Sequence, residues 1–276
     1  MFKKKTKKAA LSIMAIMVVA SAGFTQSENP PLPGFDAAGS DAKAVEIADQ
    51  VMEKMGGRKN WDATRFVTWK FFGRRMHVWD KHTGNYRLEF QDRRTQSNML
   101  VLMNLNTQKG RAWNSGEEIT DADSLQKVLK QANSAWINDS YWVFMPYKLK
   151  DSGVTLKYHG EGKMTDESDA HILQLTFKDV GDTPQNRYLV YVNKSTMLVE
   201  QWDFFRNAED EKPGFQIPWT NWKQYGKILL SDKRGQGRDG SERGHSDLAV
   251  FETLPAAVFE NPDEIDIMSF AKADGN

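Results

Sequence analysis

Most of this chain reads as strand-sized segments closed off by turn residues, and that pattern limits the fold more than any other feature. In residues 85–90, Tyr86, Leu88 and Phe90 alternate with Arg87 and Glu89, giving a strand one dry face and one wet face. Segments of similar character occupy 61–73, 74–81, 99–105 and 111–113. They are parted by Lys81-His82-Thr83-Gly84, by a polar bridge at 91–98 and by Asn106-Thr107-Gln108-Lys109-Gly110. Strand character returns at 154–159, 171–177, 188–192, 197–205, 222–231 and 248–251. The polar turn Asn193-Lys194-Ser195-Thr196 is the clearest hairpin signal, and 232–246 reads as a Gly- and charge-rich loop. Spacings this short suit antiparallel neighbours, since a parallel pair needs a crossover of a dozen residues or more. A sheet of about ten such strands must curl.

Two stretches break the pattern. Across 41–55, Ala44, Val45, Ile47, Ala48, Val51, Met52 and Met55 recur at steps of three and four, with Ser40 or Asp41 as cap and Gly56-Gly57 as stop. This predicts a short amphipathic helix. In the middle, Leu125, Val128, Leu129, Ala132 and Trp136 keep helical spacing, and a second helical segment at 139–145 carries Tyr141, Trp142, Phe144 and Met145 before Pro146 ends it. The expected class is α+β: a large curved antiparallel sheet, or half-barrel, with helices covering its concave face. Covered sheets of this kind commonly hold apolar ligands.

Lys3, Lys4, Lys5, Lys7 and Lys8 precede an apolar run at 9–20, and Ala20-Ser21-Ala22 fits a small-x-small cleavage site. Residues 1–22 therefore read as a secretory signal peptide, 23–40 as a flexible leader rich in Pro, 41–267 as a single domain and 268–276 as a C-terminal tail. The expected destination is the periplasm. The chain has 276 residues with 37 Lys+Arg against 37 Asp+Glu, and loss of residues 1–22 leaves 32 basic residues. A mildly acidic protein lacks the general basic face that nucleic acid requires. The absence of cysteine excludes disulfides, thiolate metal sites, Cys nucleophiles and lipoprotein anchoring.

Catalytic signals are sparse. His77, His82, His159, His171 and His245 are dispersed, and Asp80 and His82 adjoin a turn and read as solvated. The acidic runs at 209–211 and 263–266 lie beside Pro213 and Pro262 and read as loops. No nucleophile elbow, phosphate loop or dinucleotide fingerprint stands in a strand–helix context. The expectation is a non-enzymatic protein with neither metal nor cofactor. Aromatic residues, by contrast, make up 11% of the chain, and all nine Trp lie beyond residue 22.

Two local patterns carry a family resemblance. Tyr188-Leu189-Val190-Tyr191-Val192-Asn193-Lys194-Ser195-Thr196-Met197-Leu198-Val199-Glu200 is a strand–turn–strand in which Thr-x-Leu opens the return strand. Leu254-Pro255 followed by Phe259 and Pro262 makes a closing segment. With the order of elements across 41–267, these resemble the LolA-like superfamily of outer-membrane lipoprotein-sorting carriers. The resemblance implies an apolar cavity for acyl chains between half-barrel and helical lid, and a sheet Arg that meets the lid. Arg65, Arg74, Arg75, Arg87 and Arg93 are all candidates for that role. The implied cavity and lid residues are Trp69, Phe71, Met76, Trp79, Leu88, Phe90, Met99, Val101, Leu129, Trp136, Trp142, Phe144, Tyr191, Trp202 and Phe204. The expected function is a monomeric periplasmic carrier or binding protein for a lipid or acyl-chain ligand, with a membrane or transport protein as partner. The alternative is an exported module that meets a glycan or protein through exposed aromatics.

Overall fold

The computed structural model describes residues 28–273. The signal-peptide reading of 1–22 lies outside the described residues. The helices are α1 (Ala42–Lys54), α2 (Gly57–Ala63), α3 (Ala122–Phe144), α4 (Ala257–Glu260) and α5 (Met268–Ala273). The first strands are β1 (Phe66–Phe71), β2 (Arg75–Asp80), β3 (Asn85–Gln91), β4 (Asn98–Asn104), β5 (Lys109–Asn114) and β6 (Glu117–Glu118). After α3 come β7 (Val154–Lys163), β8 (Asp169–Phe177), β9 (Arg187–Asn193), β10 (Val199–Phe205) and β11 (Phe215–Pro218). The last are β12 (Thr220–Tyr225), β13 (Ile228–Gln236), β14 (Glu242–Gly244) and β15 (Ser246–Phe251).

The α+β class and the antiparallel pairing are as expected, but the strands divide among three sheets. A curved seven-stranded sheet runs β15-β1-β2-β3-β4-β5-β6, a five-stranded one β11-β10-β9-β8-β7 and a three-stranded one β12-β13-β14. Residues 61–73 are not one strand. Gly56 and Gly57, at φ +111° and +82°, turn the chain out of α1 through a conformation that costs glycine little, and α2 takes up Trp61 before β1 begins. Residues 222–231 likewise split at Gly226 into β12 and β13, and β13 and β14 occupy much of the segment expected to be a loop. The two central helical segments are one helix. Asp121 caps α3 by accepting from Ser124 N–H at 2.9 Å, and Pro146 falls in the 3-10 turn that follows, so nothing interrupts the helix between Trp136 and Asp139.

Two expectations about the ends change. From residue 28 the leader is tied down: Leu32 N–H donates to Lys150 O at 3.0 Å, Asp36 N–H to Val154 O at 3.0 Å, and Asn29 is buried. The tail includes α5, whose Ala271 is buried against the outer face of the seven-stranded sheet. Asp80 also departs from its expected solvation, since it is buried and accepts from Arg65 Nη2 at 2.9 Å and His82 N–H at 3.0 Å.

The main core is built on α1. Its Ala44, Ile47, Ala48, Val51 and Met52 are buried, and they join Trp69, Phe144, Leu173, Val190, Trp202 and Trp219 in one cluster. A helix and several indoles thus fill much of the interior that a curled sheet would otherwise leave open.

Candidate functional site

Strand alternation decides which side chains can reach the central helix. In β2, Arg75, His77 and Trp79 point to the inner face, while Met76 and Val78 join the outer cluster with Phe66, Phe251 and Val258. The first half of α3 sits on apolar ground, with Leu129 and Ala132 packed among Tyr86, Leu88, Val101, Met103 and Ala112. Its second half meets charge. Asp139, fully buried, accepts from Arg75 Nε at 2.5 Å and Nη2 at 2.7 Å, and its Oδ2 lies 2.9 Å from His77 Nε2. The other His77 nitrogen lies 2.7 Å from the Tyr86 hydroxyl.

Burial pushes the His77 pKa down, against the pull of Asp139, so the ring is neutral near pH 7. Burial also works against ionisation of Asp139, but the hydrogen bonds from His77 and Arg75 outweigh it and hold the carboxyl below its ordinary value. Arg75 is therefore the cation of the group. His77 donates from Nε2 and accepts the Tyr86 hydroxyl proton at Nδ1, the tautomer that satisfies both contacts. His77, Asp139 and Tyr86 are enclosed and line neither cleft described below, so the cluster fastens helix to sheet and only its Arg75 reaches the clefts. Of the five candidate arginines, Arg75 is the one that meets the helix. Arg65 pairs with Asp80, Arg87 faces outward, Arg74 lies in a cleft and Arg93 sits in the exposed β3–β4 turn.

Two clefts flank the second half of α3. The first, about 730 Å³, is lined by Phe71, Phe72, Trp142, Arg74, Arg75, Lys233, Arg243 and His245, with Glu242 as its acid. The second, about 760 Å³, is lined by Trp136, Tyr141, Trp142, Phe177 and Tyr188, with Lys148, Asp151 and Asp182 at its polar side. Both volumes fall within the range of small-molecule sites. Arg75, Asn138 and Trp142 belong to both, so the fastened part of α3 is the partition between them. Rings continue across it, from Phe72 to Trp142 at 5.7 Å, Trp142 to Trp202 at 4.9 Å and Trp202 to Tyr188 at 4.9 Å.

The residues implied by sequence scatter in an orderly way. Phe71, Trp136 and Trp142 line the clefts. Trp69, Phe144 and Trp202 belong to the closed core, and Leu88, Phe90, Val101 and Leu129 lie beneath α3. Trp79 touches Trp136 edge to face at 5.1 Å, Met99 pairs with Phe90 across β3 and β4, and Phe204 stacks on Phe215 at 4.8 Å. Two face the wrong way. Met76 lies on the outer face of its sheet, and Tyr191 packs with Ile172 and Leu189 on the side of the five-stranded sheet away from α1, its hydroxyl donating to Asp203 Oδ2 at 2.9 Å. Apolar side chains stand on both faces of their strands, and only the covering elements tell them apart.

Sequence reading missed Phe72, Phe177, Tyr188 and His245 as lining, it set the charges around Arg243 against the acids of the same loop, and it missed Asp139. One signal for Asp139 was available. It stands on the same helical stripe as Ala132 and Trp136, where an acid has to be paired if it is to be buried.

No family model matches the sequence, and no curated protein matches it. Among solved structures the chain is similar to a DUF1329 family protein from Desulfovibrio piger ATCC 29098, at 15% identity and a TM-score of 0.42, over 79% of this chain and 97% of that one. It is also similar to MucB in complex with MucA(peri), at 11% identity and a TM-score of 0.22, over 78% of this chain and 60% of that one. The Pseudomonas aeruginosa MucA/MucB complex is similar at 12% identity and a TM-score of 0.22, over 78% and 59%. These likenesses are loose, and no conclusion about this protein rests on them.

Proposed function

We propose that the protein is an exported, non-enzymatic carrier or binding protein for a lipid-like ligand, of LolA-like type, and that the ligand occupies the clefts beside α3. The observation that carries this reading is the pair of aromatic-lined clefts, about 730 and 760 Å³, parted by a helix that one ion-pair cluster fastens to the sheet. Space for a ligand lies beside the helix, where apolar rings meet solvent. Burying hydrocarbon there supplies about 0.8 kcal/mol per CH₂ before ordering costs. Export rests on residues 1–22, delivery to a membrane or transport protein follows from the resemblance, and the protein acts as a monomer.

The reading that invokes a glycan or protein bound through exposed aromatics has less support. Phe215 is the one exposed large hydrophobic among the described residues.

The test is native extraction followed by mass spectrometry of bound lipid, together with titration of a fluorescent fatty acid. Co-purifying lipid and saturable binding are expected. Protein that emerges lipid-free and leaves the probe's fluorescence unchanged sinks the carrier reading.

A further inference from the structure

The first cleft holds more positive charge than its own carboxylates account for. Among its basic residues Arg75 is committed to Asp139, and Lys233 is paired with Glu242 at 2.6 Å. Arg74 and Arg243 have no ion pair among the described residues, and Arg243 instead lies over the Phe72 ring, 5.2 Å from its centroid. Of the four acids between 232 and 247, only Glu242 lines the cleft. Asp232 faces Asn221 and Lys223, Asp239 is capped by Ser241, and Asp247 accepts from Ser246.

Behind the cleft is a further cation. Arg234 is fully buried over Trp219, its centroid distance 3.7 Å, and donates to Ser231 Oγ at 2.9 Å, Lys233 O at 2.8 Å and Trp142 O at 2.6 Å, with no carboxylate among its partners. Burial pushes its pKa down to about 9, despite the nearby Asp232 charge. An enclosed charge with no carboxylate in contact is costly, and an anion in the adjoining cleft offsets part of that cost. His245 also stands in the cleft wall, its ring nitrogens buried beside the Trp142 carbonyl to which Arg234 donates.

We infer that the first cleft takes the anionic head group of an amphiphile, a phosphate or carboxylate held by Arg74 and Arg243, with the hydrocarbon laid on Phe71, Phe72 and Trp142. This rests on the binding role proposed above and names the ligand chemistry. Guanidinium groups match phosphate and carboxylate through paired N–H donors, and the aromatic floor supplies the apolar contact that a free anion would not use. The second cleft is balanced by comparison, its Lys148 paired with Asp151 at 3.0 Å.

Calorimetric titration below micellar concentration, with dodecyl phosphate, dodecanoate, monododecanoylglycerol and inorganic phosphate, tests it. Both anionic amphiphiles are expected to bind about tenfold tighter than the neutral one, with inorganic phosphate at least as weak as the neutral amphiphile. Arg74→Gln with Arg243→Gln brings the preference below about threefold and high salt weakens it, whereas Arg93→Gln with Arg94→Gln leaves it in place. All four residues are exposed, so melting curves of both variants should overlay the wild type. Equal affinity for neutral and anionic amphiphiles, a preference that survives the double substitution, or inorganic phosphate binding as tightly as dodecyl phosphate each overturns the inference while leaving the carrier reading intact. If no amphiphile binds at all, the carrier reading falls and the head-group assignment with it.

Discussion

The two faces of the seven-stranded sheet are both covered by helices, and each cover is held by an arginine from the sheet, yet the two fastenings differ in kind. On the outer face Arg87, 1% exposed, donates to the backbone carbonyls of Asn261 at 2.9 Å and Asp263 at 2.8 Å, and its Nε meets Glu89 at 2.5 Å. On the inner face Arg75 holds α3 through the side chain of Asp139, with His77 as a second donor. Backbone carbonyls are present whatever the side chain and do not titrate. A carboxylate can be protonated, and it is one residue. The outer closure, with α4 and α5 over an apolar cluster, is therefore built to stay shut. The inner one runs through a titratable side chain and stands between two clefts, beside the bond from Arg234 to the Trp142 carbonyl.

The largest expected effect breaks the outer closure. Arg87→Ala empties a buried site and leaves the carbonyls of Val258, Asn261 and Asp263 without their donor, and should cost about 3–5 kcal/mol by chemical denaturation, with amide exchange of α5 accelerating most. A loss under about 1 kcal/mol would show that α4 and α5 hold through apolar contact alone. Next comes the inner fastening. Asp139→Asn retains shape but loses charge-assisted bonds to Arg75 and His77, for an expected loss of about 2–3 kcal/mol. Faster exchange should centre on the second half of α3 while α5 keeps its protection, and equal exposure of both faces would erase the distinction drawn here.

A smaller stability change should follow Trp142→Ala, because this ring is only half-buried and stands in the partition between clefts. About 1–2 kcal/mol is expected, together with weakening of fatty-acid binding by about tenfold or more. A loss above about 3 kcal/mol with unchanged affinity in the folded fraction would make Trp142 an ordinary core residue.

The mildest perturbation is pH. His77 has its folded pKa depressed by burial from the ordinary 6.5, so below 6.5 the unfolded chain takes up a proton that the folded one refuses, and stability falls with pH. Asp139, held below 3.8, contributes stability that is present above 3.8 and is lost as pH falls through its lower folded value. Melting temperature should therefore decline in two stages on acidification. Hydrogen exchange should show α3 loosening before α5, since Arg87 keeps its charge throughout. Simultaneous loosening would argue against a titratable inner fastening.

Much of the fold was legible because its signals are local. The alternation in β3, the Asn193–Thr196 turn and the three- and four-residue spacing of α1 each lie within a few residues of chain, and all appear close to their expected bounds. The candidate site was legible in part. Trp136 and Trp142 could be placed on a helix, and Phe71 on a strand, from periodicity alone. Periodicity does not say which face a helix will cover, which is why Met76 and Tyr191 fell on outer surfaces while Phe72 and Tyr188 reached the clefts unannounced.

What the sequence determined by itself is the broad run of elements: antiparallel strands, an amphipathic helix ahead of them and helical matter between them. What only the tertiary structure decided is how those elements close on one another. It divides the strands among three sheets, places α1 in the main core, seats α5 on the outer face and selects Arg75 from five arginines by bringing it against Asp139, 64 residues away. Hydrophobic alternation is an energy that each strand expresses alone. The partner of a buried charge is set by distance and desolvation, which exist only once the chain is folded.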